Sequence, residues 1–244
     1  MVLMFNESWP WKCDLWRSVQ RLRKEQFELA RKLDRVDDEA DLLYSVERDV
    51  MFGCFAVRRL IWMPSKVTKE ARKAKVTVIQ YPKITSAPTL NVWEALGELN
   101  MFDYDAPQTI SITANAMCNL FIHSLIFRFA WTLRGVAWGD WDGCNTSEEN
   151  PDELAGFLVA SDKDANRVLT FVPLDEVIRL FLILVDDEVV GLCGKRGKDG
   201  RMHLTAHGPG ELECSKIVHP VTQDDGQHNT NNAGDEREDV DDDC

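Results

Sequence analysis

The sequence lacks the short motifs by which several classes of enzyme and metal-binding protein are recognised. Its seven cysteines are scattered and never form a Cys-x-x-Cys pair, which argues against a knuckle-type zinc site. An odd number of widely spaced cysteines indicates reduced thiols, as in a cytoplasmic protein. Neither a phosphate-binding glycine loop nor a nucleophile elbow occurs. The sequence therefore predicts no cofactor, and it argues against P-loop and α/β-hydrolase chemistry.

Long uninterrupted apolar runs are also missing. The two most apolar stretches, 117–133 and 177–192, are broken by polar and charged side chains, whereas a membrane-spanning helix needs about 20 predominantly apolar residues. The first residues show neither a basic segment nor an apolar run of the secretory type. We therefore expect a cytoplasmic protein that makes no contact with a membrane.

Negative charge is unevenly distributed along the chain. The formal net charge is −13, of which residues 223–244 contribute −8, while residues 1–75 carry a net charge of +4. Beyond residue 187 the apolar periodicity weakens, and burial of so few apolar side chains would not offset the entropy of ordering the segment. The sequence predicts a flexible acidic tail over 188–244, structureless from Gly191.

Apolar residues at a spacing of three and four predict two long amphipathic helices, over 11–36 and 39–62. Pro64 ends the second helix. A short connection between helices with matching apolar stripes predicts an antiparallel hairpin. Gly53 lies in the middle of the second stripe, where the missing side chain would let another helix approach closely.

Downstream the pattern alternates between helical and strand periods. Ser111 or Thr113 can cap a helix that ends near residue 124, and the alternating apolar residues of 125–133 predict a half-buried strand. The turn Ser161-Asp162-Lys163-Asp164 is interpreted as a solvated hairpin loop. The remaining predicted elements are a strand at Lys75–Tyr81, two hairpin strands at Leu154–Ala160 and Arg167–Val172, and a helix over 174–185.

Together these elements predict an α+β fold in one domain, residues 1–187. Its helical part, 8–124, contains the hairpin and the capped helix. Its second part, 125–187, contains a small antiparallel sheet and a C-terminal helix.

The most specific chemical signal lies in the capped helix, in the stretch MCNLFIH at 117–123. Asn119 and His123 are four residues apart, so on a helix their side chains share one face of an otherwise apolar segment. An amide and an imidazole placed in this way can bind a ligand or transfer a proton. In the structural alternative, the imidazole bonds the last carbonyls of the helix and Asn119 satisfies a buried contact.

This segment, together with the helical hairpin before it, resembles the HEPN family of helical modules found in bacterial conflict systems. The resemblance covers residues 11–125. The family motif places an Arg before a polar residue and a His five positions after that Arg, and Cys118, Asn119 and His123 occupy these positions here. The resemblance implies a homodimer, and it implies an RNA substrate where the module is an active, metal-independent ribonuclease.

Cys118 departs from this motif, because a thiol cannot replace a permanent cation that carries five hydrogen-bond donors. We therefore expect a noncatalytic interaction or regulatory module of a bacterial defence or toxin–antitoxin system, with a second copy or another protein as its partner. A structural subunit of a larger complex is another alternative.

A cation could instead come from elsewhere in the chain. The candidates are Arg58 and Arg59 in the second helix and Arg128 just beyond the motif. With such a cation, the alternative function is a ribonuclease that uses His123 and Asn119.

One further pair of side chains invites a metal-site hypothesis. His203 and His207 could chelate a metal ion from one face of a helix. Gly200 and Gly208 would confine such a helix to about two turns, and the nearby cysteines lack ligand spacing. We therefore predict no metal site.

Overall fold

The computed structural model of the protein describes residues 8–33, 39–91, 93, 99–140 and 151–211. The described elements confirm an α+β fold. The helices are α1 (Trp9–Leu33), α2 (Glu39–Trp62), the short α3 (Lys69–Arg72), α4 (Ala114–Ile122) and α5 (Leu174–Asp186). The strands are β1 (Lys75–Pro82), β2 (Gln108–Thr113), β3 (Ser124–Thr132), β4 (Glu153–Ser161), β5 (Val168–Pro173), β6 (Gly191–Arg196) and β7 (Met202–His207).

The helices α1 and α2 confirm the predicted hairpin and its apolar stripes. Leu15, Val19 and Leu22 of α1, with Val50 and Leu60 of α2, are at most 1% exposed. Burial of aliphatic side chains of this size contributes about 1.5–3 kcal/mol each, so the stripes account for much of the stability of the hairpin.

A half-buried ion pair joins the two helices of the hairpin. The Arg21 guanidinium donates two hydrogen bonds to the Asp49 carboxylate, at 2.6 and 2.7 Å. Asp49 is buried, and its hydrogen bonds raise the pKa of Arg21. The planar fork fixes the guanidinium in one orientation, and the pair therefore fixes the register of α1 against α2.

The five-stranded sheet has the order β2-β1-β5-β4-β3, and all its neighbouring strands are antiparallel. The predicted strands and the β4–β5 hairpin are confirmed. One strand was not predicted, because β2 (Gln108–Thr113) has only Ile110 and Ile112 as apolar residues and alternates weakly. The sheet is consequently larger than expected, and two of its strands lie within the supposed helical part, 8–124.

The sheet carries helices on one face, where α1, α2, α4 and α5 share the larger apolar core with side chains of the strands. A smaller apolar cluster covers the other face. Trp138 stacks there on Phe171 at 4.8 Å and donates a hydrogen bond to the Tyr81 hydroxyl at 2.8 Å. The helical face is therefore the face on which the motif helix α4 lies.

The prediction of a structureless segment from Gly191 is wrong for residues 191–207, which form the β6–β7 hairpin. Gly200, with φ of +76°, allows the turn between the strands, and Ala206 is buried. The sequence pattern does not predict this hairpin, because its short strands are mostly half-exposed and carry few apolar residues. The acidic residues 223–244 lie outside the described part of the chain.

The hairpin also corrects the helical reading of His203 and His207. Both lie on strand β7, where four residues span about 13 Å, too far for two side chains to chelate one ion without help. Among the described residues, no group of three or more His, Cys, Asp or Glu side chains is placed to hold a metal ion. None of the described helices has the length and apolar character needed to cross a bilayer.

Gly53 of α2 permits a close contact between helices in the core. A Cβ atom built at this position would lie 2.3 Å from two ring atoms of Phe181 in α5, and the Phe181 ring is fully buried. The ring can therefore rest on the backbone of α2 only because position 53 has no side chain. The predicted close approach of a neighbouring helix at Gly53 is confirmed.

We predict that Gly53→Ala destabilises the protein by about 1–3 kcal/mol, because overpacking outweighs the gain in helix propensity. Urea unfolding followed by circular dichroism measures the change. The control is the same substitution in a Phe181→Leu background, where the smaller side chain removes the clash and Gly53→Ala should be neutral or stabilising. An equal loss of stability in both backgrounds would show that the Phe181 contact is not the cause.

Candidate functional site

The motif helix α4 is held between two strands at opposite edges of the sheet. It follows β2 directly and precedes β3, so the chain crosses the helical face of the sheet within nine residues. The Thr113 hydroxyl, as predicted, caps the helix by accepting a hydrogen bond from the Ala116 N–H at 3.2 Å. The cap fixes where α4 begins and thus which of its residues face α2.

Cys118 faces the core and contributes nothing to the surface. It is fully buried beside Cys54 of α2, and burial, together with this neighbouring thiol, raises the pKa of Cys54 well above its usual range. An Arg side chain at this position would have to bury its charge, which costs several kcal/mol without a partner. The position at which the HEPN motif carries its Arg is therefore occupied here by part of the helix–helix contact.

Asn119 is the unusual group of the helix. Its Oδ1 atom is buried, yet no hydrogen bond reaches that atom from any residue that the structure describes. An unpaired buried acceptor costs about 1–3 kcal/mol, so native proteins seldom retain one without a function. With the described residues, the Oδ1 atom therefore makes no hydrogen bond of the kind that the structural alternative expects of Asn119.

His123 ends α4 through its main chain. Its N–H donates to the Asn119 carbonyl at 3.1 Å, and its own carbonyl accepts from the Asp162 N–H at 3.1 Å. The imidazole is exposed and forms no hydrogen bond with the described residues. The helix end is therefore held by backbone contacts, which corrects the expectation that the imidazole bonds the last carbonyls.

Arg58 joins Asn119 and His123 in one cleft of about 650 Å³. It lies on α2 one helical turn after Cys54, and the packing of α2 on α4 brings it to the wall of the cleft. The guanidinium is half-buried and forms neither an ion pair nor a hydrogen bond with the described residues. Arg58 thus brings a cation from the neighbouring helix to the cleft that Asn119 and His123 line.

The two other predicted arginines lie elsewhere. Arg59 is exposed on another face of α2 and does not line the cleft. Arg128 lies in β3 beside a separate depression of about 490 Å³, which Phe127, Phe129 and Trp131 line with the first half of α2. The structure therefore brings together three of the five predicted site residues.

Another wall of the cleft is the β4–β5 turn, for which the sequence predicts only a solvated loop. Ser161, Asp162, Lys163 and Asp164 line this wall. The turn lies there because Ser161 pairs with Ser124, the first residue after His123. Strand register brings the two segments together, and a single sequence does not reveal register.

Charge in this wall is partly neutralised within the turn. Burial alone would raise the pKa of Asp164, but hydrogen bonds from Arg167 and from the Ser161 hydroxyl, at 2.9 Å, outweigh it and lower the pKa. Asp164 is therefore an anion already paired with Arg167. Lys163, like Arg58, has no ion-pair partner among the described residues, which leaves two available cations facing the cleft.

The floor of the cleft is also polar. Gln80 of β1 donates from Nε2 to the Thr170 hydroxyl at 3.4 Å, and Thr170 is fully buried. Beside the carboxylates of Asp162 and Asp164, the cleft thus offers cations on two walls, one unpaired acceptor and an amide. This set can bind an anionic group and a hydrogen-bond donor of the same molecule. The exposed His123 imidazole has no orienting partner of the kind that a general base requires.

We predict that Asn119→Leu leaves the free energy of unfolding unchanged or raises it, because the substitution removes an unpaired buried acceptor. His123→Ala should change it by less than about 0.5 kcal/mol, as expected for an exposed side chain. Thr113→Ala serves as the positive control and should cost about 1 kcal/mol through loss of the cap. Denaturant unfolding measures all three. If His123→Ala lowered the free energy of unfolding by more than Thr113→Ala does, the imidazole would be shown to hold the helix end.

Comparison of the chain with protein-family models, with curated proteins and with solved structures finds no match. The geometry of the cleft is therefore the basis for a functional assignment.

Proposed function

We propose that the protein is a noncatalytic interaction or regulatory module of HEPN-like type that acts as a homodimer and binds a nucleotide-class ligand in the α4 cleft. The proposal rests on one observation: two groups on neighbouring helices line the same cleft, and neither has a hydrogen-bond partner among the described residues. The Arg58 guanidinium has no partner among the described residues, and the buried Asn119 Oδ1 accepts no hydrogen bond from them.

The chemistry of these two groups defines the ligand. A guanidinium and a lysine favour a phosphate, which accepts several charge-assisted hydrogen bonds. A buried amide oxygen favours an N–H or O–H donor, such as the exocyclic amine of a base. The cleft volume of about 650 Å³ lies within the range of small-molecule sites. A nucleoside monophosphate, or one nucleotide at the end of an RNA chain, carries both groups.

We propose that the protein is noncatalytic because of the chemistry of Cys118 and His123. Cys118 is buried beside Cys54 and carries no charge into the cleft. The His123 imidazole is exposed and lacks an orienting hydrogen bond from the described residues, so the proton-transfer geometry is not fixed before a ligand binds.

A ribonuclease that uses His123 is the second candidate, and one observation favours it. Arg58 lies on the same cleft as His123 and could stabilise the negative charge of a phosphate during cleavage. Incubation of the protein with single-stranded RNA in the presence of a chelator separates the two candidates. We expect intact RNA; cleavage that disappears in His123→Ala would establish the ribonuclease.

We predict that Arg58→Gln weakens binding of adenosine 5′-monophosphate about tenfold to a hundredfold, because the phosphate loses charge-assisted hydrogen bonds. Isothermal titration calorimetry measures the dissociation constant. Arg59→Gln is the matched control, since it removes the same charge one residue away, outside the cleft, and should bind as tightly as the unsubstituted protein. The same titration with guanosine, cytidine and uridine monophosphates defines the preferred base.

Two outcomes would contradict the proposal. One is the absence of binding by all four monophosphates. The other is equal weakening by Arg58→Gln and Arg59→Gln, which would indicate nonspecific attraction to positive charge.

A further inference from the structure

Helix α2 has a second face that neither the core nor the cleft uses. Along this face, residues recur at intervals of three or four positions and every one of them is exposed. Four are aromatic, with exposed fractions from 52% for Phe52 to 79% for Trp62. We call this face the outer stripe; it consists of Asp41, Tyr44, Arg48, Phe52, Phe55, Arg59 and Trp62.

The aromatic side chains of the outer stripe belong to neither apolar core of the chain. Within one chain, Phe55 lies 6.2 Å from the Trp11 ring of α1 and Tyr44 lines the depression beside β3, but more than half of each ring stays exposed. Aromatic side chains clustered on one exposed helix face with arginines between them have the composition of a protein–protein interface, in which aromatics and Arg are enriched.

The stripe is complementary to itself when two copies of α2 lie antiparallel. Asp41 and Arg59 are each nine residues from Val50, and Arg48 and Phe52 are each two residues from it. A twofold axis at the level of Val50 therefore places Asp41 opposite the partner's Arg59. The same axis brings Arg48 over the partner's Phe52, an arrangement that permits a cation–π contact.

The remaining groups of the stripe agree with this symmetry. Tyr44 comes opposite position 56 and thus next to the partner's Phe55, which pairs two exposed aromatic rings. Asp41 and Arg59 form no ion pair with the residues described by the structure, so each is available to the other copy. An isologous interface uses one patch twice and needs this kind of self-complementarity.

We propose that the outer stripe of α2 is a self-association surface whose occupant is the outer stripe of a second copy, packed antiparallel. The inference rests on the homodimer of the proposed function and names its interface. Asp41 argues against a nucleic acid as the partner, because its carboxylate would repel a phosphate backbone at one end of the stripe.

This arrangement has a consequence for the cleft. Arg58 of one copy lies opposite position 42 of the other, so the two Arg58 side chains are about 24 Å apart along the helix axis. Each cleft is then complete within one protomer. The dimer does not pool residues from two copies into one site.

Charge reversal tests the interface with the full-length chain in sedimentation velocity experiments. Asp41→Arg and Arg59→Glu each bring like charges together at both ends of the interface, and each should weaken self-association about tenfold. Mixing the two variants restores both ion pairs in a heterodimer, so the mixture should associate about as tightly as the unsubstituted protein. Phe52→Lys at the centre should weaken association on the order of a hundredfold.

Ile84→Lys is the control, since it changes an exposed apolar side chain that follows β1 and lies outside α2. A monomeric unsubstituted protein at micromolar concentration would overturn the proposal, as would a mixture of charge variants that associates no better than either alone. Loss of single-stranded oligonucleotide binding in the stripe variants, with unchanged association, would assign the stripe to nucleic acid instead.

The failure of this inference can be separated from failure of the cleft assignment. Phe52→Lys lies outside the cleft and should bind adenosine 5′-monophosphate unchanged, whereas Arg58→Gln should lose the nucleotide and keep its self-association.

Discussion

The close packing of α2 against α4 and α5 is the constraint on which the rest of the structure depends. Gly53 lets the Phe181 ring rest on the α2 backbone, and in the next position Cys54 lies beside Cys118 of α4. Because these two contacts are adjacent in the chain, they fix both the position and the rotation of α2. Arg58, one turn later, is thereby directed to the cleft beside Asn119.

The same constraint explains why α2 presents such different faces. Its buried stripe is committed to the core through Val50 and Leu60, so the opposite face is necessarily turned outward. Folding alone does not explain why this helix of 24 residues carries aromatic side chains on its outward face. The cleft and the proposed self-association surface are therefore two consequences of how one helix is oriented.

The elements that depend on local periodicity could be predicted from the sequence, and those that depend on tertiary pairing could not. Local sequence is enough to predict three features that the structure contains: the apolar stripes of α1 and α2, the Thr113 cap and the alternation in β3. Strand β2 and the β6–β7 hairpin carry few apolar residues, so their strand character comes from pairing with neighbours.

The candidate site shows the same division. Asn119 and His123 stand out because their polarity breaks an apolar run, and one turn of helix is enough to relate them. Arg58 could be named as a candidate but not distinguished from Arg59 or Arg128, because the rotation of α2 against α4 decides which arginine reaches the cleft. The β4–β5 turn was interpreted only as solvent-exposed, since its approach to His123 depends on the β3–β4 register.

The central claim is that one molecule contacts both walls of the cleft at once. Chemical-shift perturbation in a nuclear magnetic resonance titration with adenosine 5′-monophosphate tests it most directly. The account predicts that the side-chain amide of Asn119, the guanidinium of Arg58 and the main-chain amide of Lys163 shift together and saturate at one ligand concentration. Shifts confined to the exposed arginines Arg48 and Arg59, with no change at Asn119, would contradict it.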